Sequence, residues 1–92
     1  IVGVCDEAAI GATIAARRLG ISVPAELSVV GIDDHQHAAM FSLTTIRQSP
    51  RDQGHEAVRL LRDQIERPDA GIERVLTASA LVVRNSTSAP RS

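Results

Sequence analysis

The alternation of apolar and polar positions along the chain predicts two short strands separated by a helix. The run Ile1–Cys5 is apolar throughout, as is typical of a strand buried on both faces. Apolar residues then recur at helical spacing between Asp6, a good helix-capping residue, and Gly20, which favours a helix end. A second apolar run covers Ser28–Ile32. Strand, helix and strand at this spacing predict a βαβ unit with parallel strands, and therefore an α/β fold.

A second helix is predicted in the middle of the chain. Ser49 can cap it, Pro50 suits the first helical position, and Asp52 lies three residues after the cap. The break is expected at Pro68–Gly71. Apolar and small residues predict a buried face along this helix: Gly54, Ala57, Val58, Leu61 and Ile65.

The remaining segments are expected to be extended or irregular. Leu43–Gln48 is partly β-branched and predicts a strand. Ile72–Thr77 and Ala80–Arg84 predict two further extended segments, and the polar residues from Asn85 onward predict a frayed tail. Because the sequence begins inside an apolar run, we interpret it as a fragment of a longer polypeptide.

Composition and charge exclude several classes of function. The sequence has 10 basic residues, all arginine, and 11 acidic residues, and the arginines do not cluster. We therefore expect that this segment does not itself hold DNA, since DNA binding needs a patch of basic residues. Cys5 is the single cysteine and cannot build a disulfide or a zinc framework. No apolar stretch approaches membrane-spanning length.

Carboxylates are expected at one edge of the predicted sheet. Parallel α/β sheets bind ligands beyond the carboxyl ends of their strands. The first strand ends at Cys5 and Asp6, and the second ends at Asp33 and Asp34. These oxygens could accept hydrogen bonds from the hydroxyls of a sugar, and a cationic group would also fit. Purely structural roles remain open: Asp6 as a helix cap, and Asp33 or Asp34 as a turn former.

Metal binding and catalysis find little support in the sequence. His35 and His37 could join the aspartates as metal ligands, but no second ligand cluster accompanies them. Cys5 has no activating neighbour in sequence, and His55 is expected on a solvated helix face. No glycine-rich phosphate loop is present. We therefore expect neither an enzyme nor a cofactor.

Six sequence blocks, in order and at nearly the family's spacing, resemble the lactose-repressor/galactose-repressor family of transcription regulators. The resemblance covers almost the whole chain, and the blocks together are far more specific than each alone. The blocks are Cys5–Ala12, Leu19–Pro24, Leu27–Asp34, Leu43–Gln48, Gly54–Ala57 and Leu81–Thr87.

This resemblance implies a two-lobed core similar to periplasmic sugar-binding proteins of type I, with an effector in the cleft between the lobes. Residues 1–47 would belong to the carboxy-terminal lobe, residues 48–79 would cross into the other lobe, and residues 80–92 would return. Operator DNA would be bound by a helix-turn-helix domain outside this chain. The regulator would be cytoplasmic and respond to a small molecule, which we expect to be a sugar in view of the carboxylates. A periplasmic sugar-binding component of an uptake system is the alternative.

The resemblance also assigns roles to individual residues. Asp33 matches the aspartate that accepts hydrogen bonds from effector hydroxyls, and Gln48 matches a residue of the cleft. Cys5 stands where many members have an asparagine that reaches the ligand, and a thiol cannot reproduce the amide's hydrogen bonds. Together with Asp6 at the same sheet edge, these are the expected effector-binding residues.

The resemblance also implies a homodimer interface on the first helix and the loop that follows the second strand. The residues expected there are Ile10, Ile14, Met40 and Phe41. The alternative is that they complete the core of the monomer. No leucine heptad follows Arg84, so a tetramer built by a terminal coiled coil is not expected.

Overall fold

The computed structural model describes residues 1–90, which divide into two compact units. Unit 1 contains Ile1–Gln48 and the chain from Ala80 onward, and unit 2 is Ser49–Ser79. The elements in chain order are α1 (Asp6–Arg18), β1 (Val30–Asp33), β2 (Thr44–Arg47), α2 (Pro50–Glu66) and β3 (Ala80–Val82). The division differs from the predicted segments only at Gln48. The assignment of the units to two lobes of a core stays a prediction.

The sheet of unit 1 has the strand order β1-β2-β3. β1 and β2 are parallel, with Asp33 opposite Arg47 at their carboxyl ends, whereas β2 and β3 are antiparallel. The predicted first strand is reduced to a single parallel bridge between Val2 and Val30, supported by a 2.8 Å hydrogen bond from Gly3 N to the Val30 carbonyl. The parallel arrangement was predicted correctly, but the extent of this strand and its burial on both faces were wrong, because Val2 and Val4 are exposed.

The two ends of α1 differ in how they are capped. Cys5 is the N-cap residue and makes no side-chain capping bond, so the prediction that Asp6 caps the helix is wrong. At the other end Gly20 adopts φ 74°, as predicted for a helix stop. Its amide donates to the Arg17 carbonyl, and the Ile21 amide donates to the Ala16 carbonyl at 2.8 Å. This is the Schellman arrangement, in which glycine accommodates the left-handed backbone.

A small aliphatic cluster holds α1 against the sheet. Ala9 from α1 is fully buried beside Val29, Ala38 and Leu43, and Ile10 packs against the same cluster. Small side chains on α1 let the helix lie close to the strands, so the core needs no aromatic residue.

The carboxy-terminal segment of unit 1 is anchored, so the prediction of a frayed tail is wrong for its first residues. Ser86 is only 5% exposed. Its hydroxyl donates to the Val29 carbonyl at 2.6 Å and accepts from the Thr44 amide at 2.8 Å. Ser88 N donates to the Ser28 hydroxyl at 3.1 Å. These bonds satisfy backbone groups at the amino-terminal ends of the strands, where water would otherwise have to enter. Residues 91–92 lie outside the described part.

Unit 2 is one helix followed by an irregular segment. The Ser49 hydroxyl accepts from the Asp52 amide at 3.2 Å, which confirms the predicted helix start at Pro50. The predicted buried face is wrong: no residue of α2 is buried, and Val58, Leu61 and Ile65 are exposed. Unit 2 contains no sheet onto which this face could pack. Ile72–Thr77, predicted to be extended, pairs with no other strand in unit 2.

Candidate functional site

The carboxyl ends of β1 and β2 bring Asp33 and Gln48 together. Asp33 is the last residue of β1, opposite Arg47 of β2, and Gln48 follows directly. Gln48 Nε2 donates to Asp33 Oδ1 at 3.4 Å, and Asp33 is exposed. An exposed carboxylate and a primary amide therefore lie side by side at the edge where α/β sheets bind ligands.

The backbone that carries Asp33 is in an unusual conformation. Asp33 has φ 116° and Asp34 has φ 55°, so two successive non-glycine residues have positive φ values. Each such residue costs about 1–3 kcal/mol and persists only where the surroundings enforce it. Aspartate tolerates this region better than most residues. The turn after β1 is therefore held in place by contacts from elsewhere.

Asp34, the neighbour of Asp33, is engaged in ion pairs. Arg84 Nη2 donates to Asp34 Oδ1 at 2.9 Å, and Arg47 Nε donates to Oδ2 at 2.8 Å. These hydrogen bonds lower the pKa of the Asp34 carboxyl, and the bond from Arg84 has the largest effect. The structure thus distinguishes the two aspartates: Asp34 is paired within the protein, and Asp33 is exposed to the solvent.

Asp6 lies below this turn and is 0% exposed. Its Oδ2 accepts from the His35 amide at 2.5 Å, and its Oδ1 accepts from the Thr45 hydroxyl at 2.6 Å. Because both oxygens are used and neither reaches the surface, the expectation that Asp6 contacts an effector is corrected. Asp6 supports the turn instead.

Cys5 is half-buried at the amino terminus of α1. Backbone hydrogen bonding at this helix end lowers the pKa of the exposed Glu7 carboxyl most, and the Cys5 thiol lowers it to a smaller extent. The Cys5 side chain therefore lies at the N-cap position of α1, where it favours the ionised Glu7 carboxylate. Its predicted contact with an effector stays a prediction.

The two histidines of the loop pack on each other. Their ring centroids are 4.9 Å apart, and the His37 amide donates to His35 Nδ1 at 3.3 Å. His35 Nε2 lies 3.9 Å from a Glu7 carboxylate oxygen. Among residues 1–90, no group of three or more histidine, cysteine, aspartate or glutamate side chains is arranged to hold a metal ion.

Sequence reasoning missed three residues of this edge: Thr45, Arg47 and Arg84. Arg47 stands opposite Asp33 in the strand register, and a charged residue that ends a β-branched run at a ligand-binding edge could have been noticed. Thr45 and Arg84 act through contacts 39 and 50 residues away in sequence, for which no local pattern exists.

The residues expected at a dimer interface differ in their exposure. Ile14 is 39% exposed and Met40 is 76% exposed, whereas Ile10 packs partly on the core and Phe41 is half-buried. Met40 and Phe41 line a depression together with Thr13 and Arg17 of α1. Apolar side chains are therefore accessible on α1 and in the loop after β1, and their use in dimerisation stays a prediction.

The sequence matches the periplasmic binding protein-like domain family over residues 1–87. The HTH-type transcriptional regulator MalR of Streptomyces coelicolor is 42% identical over 93 residues, covering 98% of this chain and 27% of that protein. The chain thus spans about a quarter of the length of this curated relative. Among described helices, none combines the length and apolar character needed to cross a bilayer.

Solved structures give the same result. A lac repressor dimer bound to operator and the anti-inducer ONPF matches with a TM-score of 0.80 and 34% identity, covering 96% of this chain and 31% of that one. A LacI family transcriptional regulator from Enterococcus faecium with bound ribose matches with a TM-score of 0.73 and 27% identity, covering 98% and 34%.

These matches define the class of the chain as a periplasmic-binding-protein-like α/β domain. The chain belongs to this family, in its branch of LacI-type transcription regulators, and corresponds to part of their effector-binding core. The expected resemblance and fold class are confirmed.

Proposed function

We propose that this chain is the effector-binding and dimerisation part of a bacterial DNA-binding transcription regulator whose effector is a sugar. The observation that carries the proposal is the contact between Gln48 Nε2 and Asp33 Oδ1 at the carboxyl ends of two parallel strands. An ionised carboxylate only accepts hydrogen bonds, whereas an amide both donates and accepts. Side by side they suit the adjacent hydroxyls of a sugar.

The relatives support this assignment. The curated relative is a transcription regulator, one solved relative is a dimer on its operator, and another holds ribose. Operator DNA would be bound by a helix-turn-helix domain outside residues 1–92, consistent with the scattered arginines of this chain. Such a regulator acts in the cytoplasm and is not an enzyme.

The uptake-system alternative is not favoured, because the relatives are regulators. The upstream coding sequence tests it directly. A helix-turn-helix ahead of the core supports the regulator, and a cleavable signal peptide contradicts it.

The sugar site is tested by thermal unfolding of the intact protein with ribose, galactose, maltose and lactose. A ligand at 100 times its dissociation constant stabilises the native state by about 2.7 kcal/mol, so a bound sugar raises the unfolding temperature. Asp33→Ala should abolish that rise while leaving operator binding intact.

Asp69→Ala is the matched control, since Asp69 is an exposed aspartate of unit 2. It should leave the sugar-induced rise unchanged. A full thermal response in Asp33→Ala would remove Asp33 from the site.

A further inference from the structure

We propose that Asp6 and Thr45 are positioning residues that hold the Asp33 carboxylate in the conformation that receives the effector. The inference rests on the proposed function for the role of Asp33. It adds two buried side chains that touch no ligand and fix the backbone on which Asp33 stands.

The two peptide amides that directly follow Asp33 both donate to side chains. The Asp34 amide donates to the Thr45 hydroxyl oxygen at 3.2 Å, and the His35 amide donates to Asp6 Oδ2. Both amides of the turn are therefore bound by side chains of other elements, Thr45 from β2 and Asp6 from α1. This accounts for a turn in which Asp33 and Asp34 both keep positive φ.

The two side chains are also bound to each other. The Thr45 hydroxyl donates its only proton to Asp6 Oδ1 at 2.6 Å, so its oxygen is oriented to accept from the Asp34 amide. Because this hydroxyl both donates and accepts, it connects the Asp34 amide to the Asp6 carboxylate. Asp6 and Thr45 are each 0% exposed, so water cannot replace either bond.

Gly31 provides the space for this arrangement. A Cβ built at Gly31 would overlap Asp6 Oδ1 and lie 2.9 Å from a methyl carbon of Leu43. The absence of a side chain in the middle of β1 therefore lets the Asp6 carboxylate reach beneath the turn. The glycine at position 31 is therefore required by the same approach of Asp6 to β1 that places the Asp6 carboxylate beneath the turn.

The experiment compares three threonine variants of the intact protein. Thr45→Val keeps the side-chain shape and removes the hydroxyl, and Thr45→Ser keeps the hydroxyl and removes a methyl group. Thr13→Val is the matched control: Thr13 is 3% exposed, and its hydroxyl donates to the Ala9 carbonyl within α1, away from the turn.

Two quantities are measured for each variant. The first is hydrogen–deuterium exchange at the Asp34 and His35 amides, resolved to single residues by mass spectrometric fragmentation. The second is the dissociation constant for each of the four probe sugars, ribose, galactose, maltose and lactose, by titration calorimetry.

We expect Thr45→Val to accelerate exchange at the Asp34 amide by about tenfold or more, because that amide loses its acceptor. The same variant should weaken sugar binding by about tenfold, a change that corresponds to 1.4 kcal/mol. Thr45→Ser should restore both values to within about twofold of the wild type, and Thr13→Val should leave both unchanged even if it lowers the unfolding temperature.

Unchanged exchange in Thr45→Val would overturn the proposal. So would an equal weakening of sugar binding in Thr13→Val, since the effect would then follow stability and not the turn. If the wild type binds none of the probe sugars, the proposed function loses its support, and the exchange data still decide whether Asp6 and Thr45 hold the turn.

Discussion

Arg84 Nη2 donates to Asp34 Oδ1 at 2.9 Å and joins the segment after β3 to the turn after β1. The same guanidinium donates through Nη1 to the Leu43 carbonyl at 2.9 Å, at the start of β2. One side chain therefore ties together three parts of unit 1. Because Asp34 adjoins Asp33, this tie also stabilises the edge that we assign to the effector.

Arg84→Met should destabilise the intact protein by about 1–3 kcal/mol, because a largely buried carboxylate and a carbonyl lose a donor while the aliphatic packing is kept. Urea unfolding measures the difference. Arg51→Met, at an exposed position of α2, is the control and should stay within about 0.5 kcal/mol of the wild type. Equal effects of the two variants would mean that the Arg84 contacts contribute no more to stability than an exposed arginine does.

The Asp34 carboxylate should make stability dependent on acidic pH. Hydrogen bonds from Arg84 and then Arg47 lower its pKa below the ordinary value of 3.8, against an opposing effect of burial. The ionised form therefore favours the folded state above pH 3.8, and this contribution is lost as the pH falls through the lower folded-state pKa. Asp34→Asn removes the titration.

The free energy of unfolding of the wild type and of Asp34→Asn should therefore differ most near neutral pH and converge below pH 3.8. Urea titrations at a series of pH values between about 7 and 3 measure the difference. A difference that stays constant over that range would contradict the assignment of the ion pairs to Asp34.

The sequence predicted features that are encoded by neighbouring residues. Ser49, Pro50 and Asp52 form a local start signal for α2, and Gly20 forms a local stop signal for α1. Both of these helix ends were therefore predicted correctly. Parallel pairing was predicted because the spacing between apolar runs allows only a crossover connection. The position of Asp33 at the carboxyl edge followed from that topology.

Features that depend on distant residues were not predictable in this way. Asp6 has the local pattern of a helix cap, and only the fold shows that its oxygens bind the His35 amide and the Thr45 hydroxyl. The anchoring of Ser86 beneath Val29 likewise joins residues 57 positions apart, so a polar segment appeared frayed. The apolar face of α2 was predicted from periodicity, which indicates amphipathicity but not the presence of a packing partner.

Gly31→Ala should destabilise the intact protein by about 1–3 kcal/mol, because the added methyl group would displace the Asp6 carboxylate and press on Leu43. Thermal unfolding provides the measurement. Gly71→Ala is the control, since a Cβ there has no neighbour within 4 Å and its φ is not positive. If Gly31→Ala unfolds at the wild-type temperature, the close approach of Asp6 to β1 is not required.

Cys5→Asn should stabilise the protein by up to about 1 kcal/mol, because asparagine is a strong N-cap residue and Cys5 makes no capping bond. The backbone at Cys5, with φ −152° and ψ 168°, already has the extended conformation of an N-cap. Differential scanning calorimetry should show a higher unfolding temperature for Cys5→Asn than for Cys5→Ala. Equal temperatures for the two variants would show that the cap position tolerates any small residue.

Ile14 and Met40 should take part in self-association. Both side chains are exposed, and they lie in the region that the resemblance assigns to a homodimer interface. Introducing a charge into such an interface removes apolar contact and leaves the charge without water, so Ile14→Glu with Met40→Glu should weaken dimerisation by at least about tenfold. Sedimentation equilibrium of the intact protein measures the dissociation constant. Leu76→Glu, at a 99% exposed leucine of unit 2, controls for added charge. A double variant that dimerises as tightly as this control would place the interface elsewhere.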